Sequence, residues 1–264
     1  MIYILTLTWN GLSNLKKLES GLVKNIKVIG NDVKWYIRDN GSIDGTKEWL
    51  DKYDKLEVDI LYANHNRDNF AKCINSLLEK ASPGDNDIVF LLNNDVEFIN
   101  DTSLCNMVQL LRKPKIGIVG ARLLYNNTKI LQHAGVIFGK RYGNMPYHFR
   151  HKERSDKEAE KNRYFQAVTA ACCLIKGKAI KPLDEGFSWA FEDIDLCLRI
   201  GEDWDIAYCG KTKIYHEESS SLKKNPVNKM FLGHNVSYFK RKWFGKYDLD
   251  HEKYLNNKNY KLIL

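Results

Sequence analysis

The chain has 264 residues, 44% hydrophobic and 28% charged. These proportions exclude disordered and collagen-like classes and leave room for one large α/β domain or two small ones. The formal net charge is +8, which suits nucleic acid, an anionic membrane face or a phosphorylated substrate, and equally a plain solvated surface. The predicted elements begin with a buried strand over residues 2–8. Leu12, Leu15, Leu18 and Leu22 follow at spacings of three and four, one face of a helix. Residues 33–38 read as a second strand, rich in aromatic and branched side chains. Gly41-Ser42-Ile43-Asp44-Gly45 is a turn in which Asp44 caps a helix through Tyr53. A strand over 58–62, a helix over 69–80 and a turn at Pro83-Gly84-Asp85-Asn86 come next. Residues 88–92 are continuously apolar, as in a central strand buried on both faces. A helix over 102–112 and a strand over 116–119 complete a βαβαβ pattern. That pattern predicts an α/β fold with a doubly wound, mostly parallel central sheet and helices on both faces.

The remainder is less regular. Residues 133–138 read as a strand, 147–163 as a polar loop with some helix, and 165–176 as a long apolar segment. A short helix over 191–200 opens on acids, strands are expected over 205–208 and 213–216, and a last helix over 227–243 carries Lys240-Arg241-Lys242. With no repeat, low-complexity tract or linker, the expectation is one domain over 1–264, in two halves (1–120 and 121–225) with a C-terminal helical segment (226–264). The six cysteines form no C-x-x-C pair and read as reduced and structural, which fits a cytoplasmic protein. The apolar N-terminus lacks a basic flank and a cleavage site, and no run reaches the roughly 18–20 apolar residues of a membrane span. The chain is expected to be soluble, or peripheral at a membrane through its basic last helix.

Polar groups collect at the predicted strand ends: Thr8-Trp9-Asn10, Asp39-Asn40-Gly41-Ser42 and Asn93-Asn94-Asp95-Val96-Glu97. In a parallel sheet these ends face one crevice. Each alone is explained by the turn preference of Asn and Asp; their convergence points to a polar ligand. Neither G-x-G-x-x-G nor G-x-x-x-x-G-K-[ST] is present. A nucleoside diphosphate here would therefore need another countercharge, and Mg²⁺ or Mn²⁺ held by Asp95 would supply it.

Asp39-Asn40-Gly41-Ser42-Ile43-Asp44-Gly45-Thr46 resembles the D-N-x-S-x-D-G-[ST] signature of family 2 glycosyltransferases, which have the GT-A fold. Leu91-Leu92-Asn93-Asn94-Asp95 is similar to that family's D-x-D motif, with Asn first. Asn69-Phe70-Ala71 with Asn75 resembles N-x-G-F-A-x-x-x-N, with Asn69 in the glycine place. Residues 191–199, F-E-D-I-D-L-C-L-R, resemble F-E-D-x-D-L-C-x-R, and His216 with Ser219 and Ser221 resembles the late H-x-x-G-x-S element, with Ser219 for Gly. His133-Ala134-Gly135 and Gly233-His234-Asn235 resemble the rhamnosyltransferase-like branch.

The resemblance, over residues 2–243, implies an inverting, metal-dependent transferase that moves a sugar from a UDP- or dTDP-sugar onto a hydroxyl of a glycan or lipid-linked glycan, in cell-surface polysaccharide synthesis. It makes Asp39 the partner of the base imide, and Thr8 and Asn10 the lining of base and ribose. Asn69, Asn93 and Asn94 join the donor-binding positions. Asp95 becomes a ligand of Mn²⁺ or Mg²⁺, with Asn93 in the aspartate place leaving it the chief carboxylate, and His216 completes the metal site or touches the diphosphate. Asp193, with Glu192 beside it, becomes the general base. Read without the resemblance, Glu192, Asp193 and Asp195 serve equally as capping acids of a helix, and His216 as a surface histidine. Phe187, Trp189 and Phe191 form either an acceptor platform or core, and residues 147–163 either a lid or a passive loop. Two rivals stay open: a nucleotidyltransferase, which normally carries a glycine-rich basic loop where Thr8-Trp9-Asn10-Gly11-Leu12-Ser13 stands, and a non-catalytic glycan- or nucleic-acid-binding protein. No nucleic-acid partner is expected on the transferase reading.

Overall fold

The computed structural model describes residues 1–140, 143–150, 156–188, 190–217 and 227–263. Its elements are β1 (Ile2–Thr8), α1 (Leu12–Ile29), β2 (Val33–Asp39), α2 (Thr46–Leu50), β3 (Val58–Tyr62), α3 (Phe70–Ala81), β4 (Ile88–Leu92), β5 (Val96–Phe98) and α4 (Ser103–Leu111). They continue with β6 (Ile116–Tyr125), β7 (Leu131–His133), β8 (Val136–Phe138), β9 (Pro146–His148), α5 (Asp156–Ala159), β10 (Arg163–Phe165) and β11 (Cys172–Lys176). The last are α6 (Glu192–Ile200), β12 (Asp205–His216), α7 (Val227–Trp243) and α8 (His251–Asn256).

The main sheet has the order β10-β12-β6-β11-β4-β1-β2-β3, with β5 added to β12 and β7 to β6. β1, β2, β3, β4, β6 and β12 run one way, while β11, β10, β5 and β7 run against them. The pleat sends alternate residues to opposite faces. Ile4, Phe90 and Leu92 pack with Leu15, Leu18 and Leu22 of α1 and with Leu104, Met107 and Leu111 of α4. Leu5, Val89 and Leu91 pack with Ile74 and Leu77 of α3, Ile194 and Ile200 of α6, and Phe239 and Trp243 of α7. Helices thus cover both faces of the sheet, as the pattern of the first 120 residues predicts.

Four features depart from the sequence reading. The strand expected over 133–138 is two: β7 stays in the main sheet and β8 pairs with β9 in a second, two-stranded sheet. Gly135 turns the chain between them at φ +100, where a Cβ would strike the Phe165 ring at 2.5 Å. The strands expected over 205–208 and 213–216 form one, β12, whose register slips between Cys209 and Ile214; Thr212 fills the slip by accepting the Arg122 N–H at 2.7 Å. Asp44 accepts from Thr46 N and Oγ1, but Gly45, at φ +88, holds the cap position and α2 ends at Leu50. Within the polar stretch 147–163, β9, α5 and the start of β10 are ordered elements, and Arg163 is 2% exposed, bound to Glu158 and to the carbonyl oxygens of Lys258 and Tyr260. Residues 151–155, the middle of the expected lid, lie outside the described residues.

Asp195, on α6, joins that helix to α7. It is fully buried, accepting from Arg199 Nε at 2.8 Å and Trp243 Nε1 at 2.7 Å, with Lys242 Nζ 2.6 Å away. Lys242 also bonds Asp184 at 2.5 Å, so it faces inward, and only Lys240 and Arg241 of the basic triplet stand exposed. Removing one partner of a buried ion pair strands the other, at about 3–5 kcal/mol. Arg199 and Lys242 keep some solvent access, so Asp195→Ala is expected to cost less, about 2–3 kcal/mol. Urea denaturation checks this; a loss under about 1 kcal/mol would mean the network adds little. Among the described residues no helix is long and apolar enough to cross a membrane.

Candidate active site at the strand ends

Parallel pairing puts Thr8 of β1 directly beside Asp39 of β2, both 1% exposed. The Asp39 carboxylate accepts from Ser42 N at 3.1 Å and Ser42 Oγ at 2.5 Å. Ser42 Oγ in turn accepts from Asn10 N at 2.7 Å, and Asn10 Oδ1 accepts from Ile43 N at 2.8 Å. Asn10 holds a left-handed backbone (φ 47), a conformation that asparagine tolerates better than most residues. The first and second strand ends are therefore stitched together. The fourth joins them through Asn94 Nδ2, which donates to Thr8 Oγ1 at 2.9 Å. Gly11 permits that contact: a Cβ there would sit 2.4 Å from Asn94 Nδ2 and 2.6 Å from Thr8 Oγ1. Asn69 has a framework task. It caps α3 by accepting from Lys72 N at 2.8 Å, and its Nδ2 donates to the Glu185 carbonyl at 2.9 Å.

Asp95 and His216 meet because β5 pairs antiparallel with the end of β12, His216 opposite Val96. Asp95 Oδ1 lies 3.3 Å from His216 Nε2, both side chains 13% exposed. The contact is not a hydrogen bond: Oδ1 is buried with no hydrogen-bond partner. An orphaned buried carboxylate oxygen facing an imidazole nitrogen fits a hard divalent cation. Among the described residues no group of three or more His, Cys, Asp or Glu converges. Two protein ligands suit Mg²⁺ or Mn²⁺, which take their other positions from phosphate and water.

Glu192 and Asp193 open α6. Before them, Ala190 and Phe191 both hold left-handed backbone, φ 68 and 72, a strained entry of the kind that persists where surrounding structure over-determines it. Asp193 Oδ2 accepts from Ala170 N at 3.2 Å and Oδ1 from Ile194 N at 2.8 Å. The neighbouring Ala171 carbonyl accepts from Asn93 N at 2.9 Å, so two consecutive residues tie the acid to the end of β4. Burial pushes the Asp193 carboxyl up, against the hydrogen bonds that favour its charge. Burial and the adjacent Asp193 push Glu192 up to about 8, and Glu192 Oε2 is buried without a hydrogen bond.

Phe187 is 1% exposed and packs edge-on against Tyr238, so it is core; Phe191 tilts against Phe239 at 5.2 Å. Trp189, Ser219 and Ser221 lie outside the described residues. Two polar side chains at this end escaped the sequence reading. Gln132 bonds His216, and His148 meets the buried His133 with their Nδ1 atoms 2.7 Å apart. Burial pushes both of these imidazoles down, so the pair is neutral. The only signal was position, since both adjoin or pair with His133-Ala134-Gly135.

Known proteins resemble this chain in sequence and in fold. The uncharacterized protein y4gI of Sinorhizobium fredii is 33% identical over 217 residues, 78% of this chain. The O-antigen biosynthesis protein RfbC of Myxococcus xanthus is 28% identical over 163 residues, 58% of this chain. The matched regions span only 23% and 12% of those two relatives. Among solved structures, a mannosyltransferase from Pyrobaculum calidifontis in complex with GDP-Man and Mn²⁺ superposes with a TM-score of 0.61 at 16% identity, over 96% of this chain and 69% of that one. Residues 1–349 of TarS from S. aureus in complex with UDP-GlcNAc give 0.57 at 14% identity, over 97% and 79%. These likenesses show the GT-A fold. The family profile named Glycosyl transferase family 2 matches residues 3–181, which take in the three stitched strand ends, and the chain belongs to that family.

Proposed function

We propose that the chain transfers one sugar, with inversion, from a UDP- or dTDP-sugar to a hydroxyl of a glycan or lipid-linked glycan destined for cell-surface polysaccharide. The observation that carries this reading is Asp193, a carboxylate with a raised pKa, tied through Ala170 and Ala171 to the strand end that bears Asn93, Asn94 and Asp95. A hydroxyl is a poor nucleophile at neutral pH, and a carboxylate whose pKa is raised toward neutrality is a better base for its proton. Asp193 takes that proton as the oxygen attacks the anomeric carbon, and the nucleoside diphosphate leaves from the opposite face. One displacement inverts the centre and needs no second nucleophile. The transition state has oxocarbenium character.

Asp39 receives the base imide, Thr8 and Asn10 line base and ribose, and Asn93 reaches the ribose with Asn94 beside it. Asn69 supports the same donor from the start of α3. Asp95 and His216 hold the divalent metal. Mn²⁺ or Mg²⁺ so held supplies neutralisation of the departing diphosphate. Solved relatives carry GDP-Man with Mn²⁺ and UDP-GlcNAc in their complexes, which supports a nucleotide-sugar donor; Asp39 favours uracil or thymine over guanine. The resemblances at His133-Ala134-Gly135 and Gly233-His234-Asn235 make dTDP-rhamnose one donor to test. The O-antigen relative supports a polysaccharide acceptor. The exposed Lys240 and Arg241 suit a peripheral contact with an anionic membrane on the cytoplasmic side.

The test is product identity. Purified chain, Mn²⁺, a panel of UDP- and dTDP-sugars and glycan acceptors are expected to yield UDP or dTDP and an extended glycan of inverted anomeric configuration. Release of pyrophosphate would favour a nucleotidyltransferase, and no turnover of any donor, even by hydrolysis, would favour a binding protein.

A further inference from the structure

We infer that Gln132 is a positioning residue that locks His216 in the Nδ1–H tautomer and so keeps Nε2 as a bare lone pair beside Asp95. The inference rests on the proposed role of Asp95 and His216 as ligands of the metal.

Gln132 lies on β7 and is 3% exposed. It bonds His216 twice: Nε2 donates to the His216 carbonyl oxygen at 3.1 Å, and Oε1 lies 2.8 Å from His216 Nδ1. Which end of an amide is oxygen is ordinarily an inference from its partners; here the partners leave one answer. A backbone carbonyl only accepts, so the amide NH₂ must face it. That turns the amide oxygen toward the ring, and an amide oxygen also only accepts. His216 Nδ1 therefore carries the proton and donates it to Gln132. In the neutral ring Nε2 then has no proton, and it is Nε2 that lies 3.3 Å from the orphaned Asp95 Oδ1. Two acceptors held face to face repel each other unless a cation or a proton sits between them. Burial of Gln132 and its second bond to the His216 backbone keep the ring from rotating or changing tautomer. Partners that fix the far nitrogen of a metal-ligating histidine typically change metal affinity by 10–100-fold when removed.

The first readout needs neither metal nor variant. Long-range ¹H–¹⁵N correlation spectra of the metal-free protein, recorded in mildly alkaline buffer, are expected to show His216 protonated at Nδ1 and bare at Nε2, its signals assigned by their loss in His216→Ala. The opposite tautomer in the wild type would overturn the inference. The second readout is Mn²⁺ affinity in the presence of UDP, followed by electron paramagnetic resonance. Gln132→Leu is expected to lose the Nδ1–H tautomer and to bind Mn²⁺ roughly 10–100-fold more weakly. Gln132→Glu, whose carboxylate still accepts from Nδ1, should keep the tautomer and recover much of the affinity, and it serves as the test if the leucine variant does not fold. Should Gln132→Leu bind Mn²⁺ as tightly as wild type while His216→Ala does not, the positioning role is wrong and the ligand reading stands. Should His216→Ala also bind as tightly as wild type, the ligand reading falls, and the lock with it.

Discussion

Asp193→Asn is expected to lower the rate of sugar transfer by about 10²–10⁴-fold, the usual contribution of a positioned base, with donor affinity changed less than twofold. Asparagine has nearly the same shape, and its one amide oxygen can still accept from Ala170 N, so the tie between α6 and the end of β4 survives while the bond from Ile194 N is given up. What is lost is the ability to take a proton. A purely capping role predicts the opposite pattern: transfer nearly intact and a small loss of stability. The pH dependence of stability separates the two. The Asp193 carboxyl is pushed up by burial, so in the folded protein it holds its proton to higher pH than in the unfolded chain. The stability this contributes is full below the unfolded value and is lost as pH rises through the folded one. Asp193→Asn removes that loss while giving up one backbone acceptor, so its melting temperature should fall less with rising pH than that of the wild type.

The same shift shapes the pH profile. The base must be ionised, so kcat/KM should rise with pH along an acid limb displaced upward from an ordinary aspartate. Burial and the adjacent Asp193 push Glu192 up as well, and the two carboxyls titrate as a pair. Glu192→Gln removes the second carboxyl and leaves the proposed base in place, and should cost far less activity than Asp193→Asn at neutral pH. Equal losses in the two variants would mean that the base is not Asp193 alone.

β1, β3 and β4 could be read from the sequence to the residue: β1 and β4 are short apolar runs buried inside the sheet, and β3 is a short branched run on its edge, set off by polar neighbours. Their polar ends followed, since parallel strands with helical crossovers must bring their carboxyl ends to one edge; Thr8, Asp39 and Asn94 do meet there. β5 could not be read. Three residues are too few for alternation to show, and Val96–Phe98 looks like the tail of the acidic motif until β12 arrives to pair with it. Yet β5 is what brings Asp95 against His216. The one-sided contacts of Asp195 were equally hidden: its sequence neighbours make it resemble a capping acid, whereas Trp243 and Lys242, nearly 50 positions away, make it a buried counter-ion. Gln132 carries no sequence signal of its own, because its role depends on a carbonyl and a ring nitrogen of a residue 84 positions later.

Asp95→Ala is expected to abolish the metal-dependent part of nucleotide binding while leaving the fold intact. Ligand at 100 times its Kd stabilises a native state by about 2.7 kcal/mol, roughly 5–10 °C in melting temperature for a domain of this size. Wild type with UDP or dTDP and Mn²⁺ should show a rise of that order, and the rise should shrink sharply in EDTA. In Asp95→Ala the melting temperature with Mn²⁺ should match that with EDTA, because the metal's chief carboxylate is gone. Asp193→Ala should keep the full metal-dependent rise, since the base lies on the acceptor side. The alanine protein itself should melt no lower than wild type. The Asp95 backbone carbonyl still accepts from Glu217 N, and the deleted Oδ1 had no hydrogen bond to lose. Removing a buried acceptor that faces another acceptor relieves a cost rather than creating one. A metal-dependent shift that survives in Asp95→Ala would move the cation elsewhere and undo the pairing of Asp95 with His216. A nucleotide shift of full size in EDTA would do more, since it would mean that protein groups alone neutralise the diphosphate in a crevice that has no phosphate-binding glycine loop.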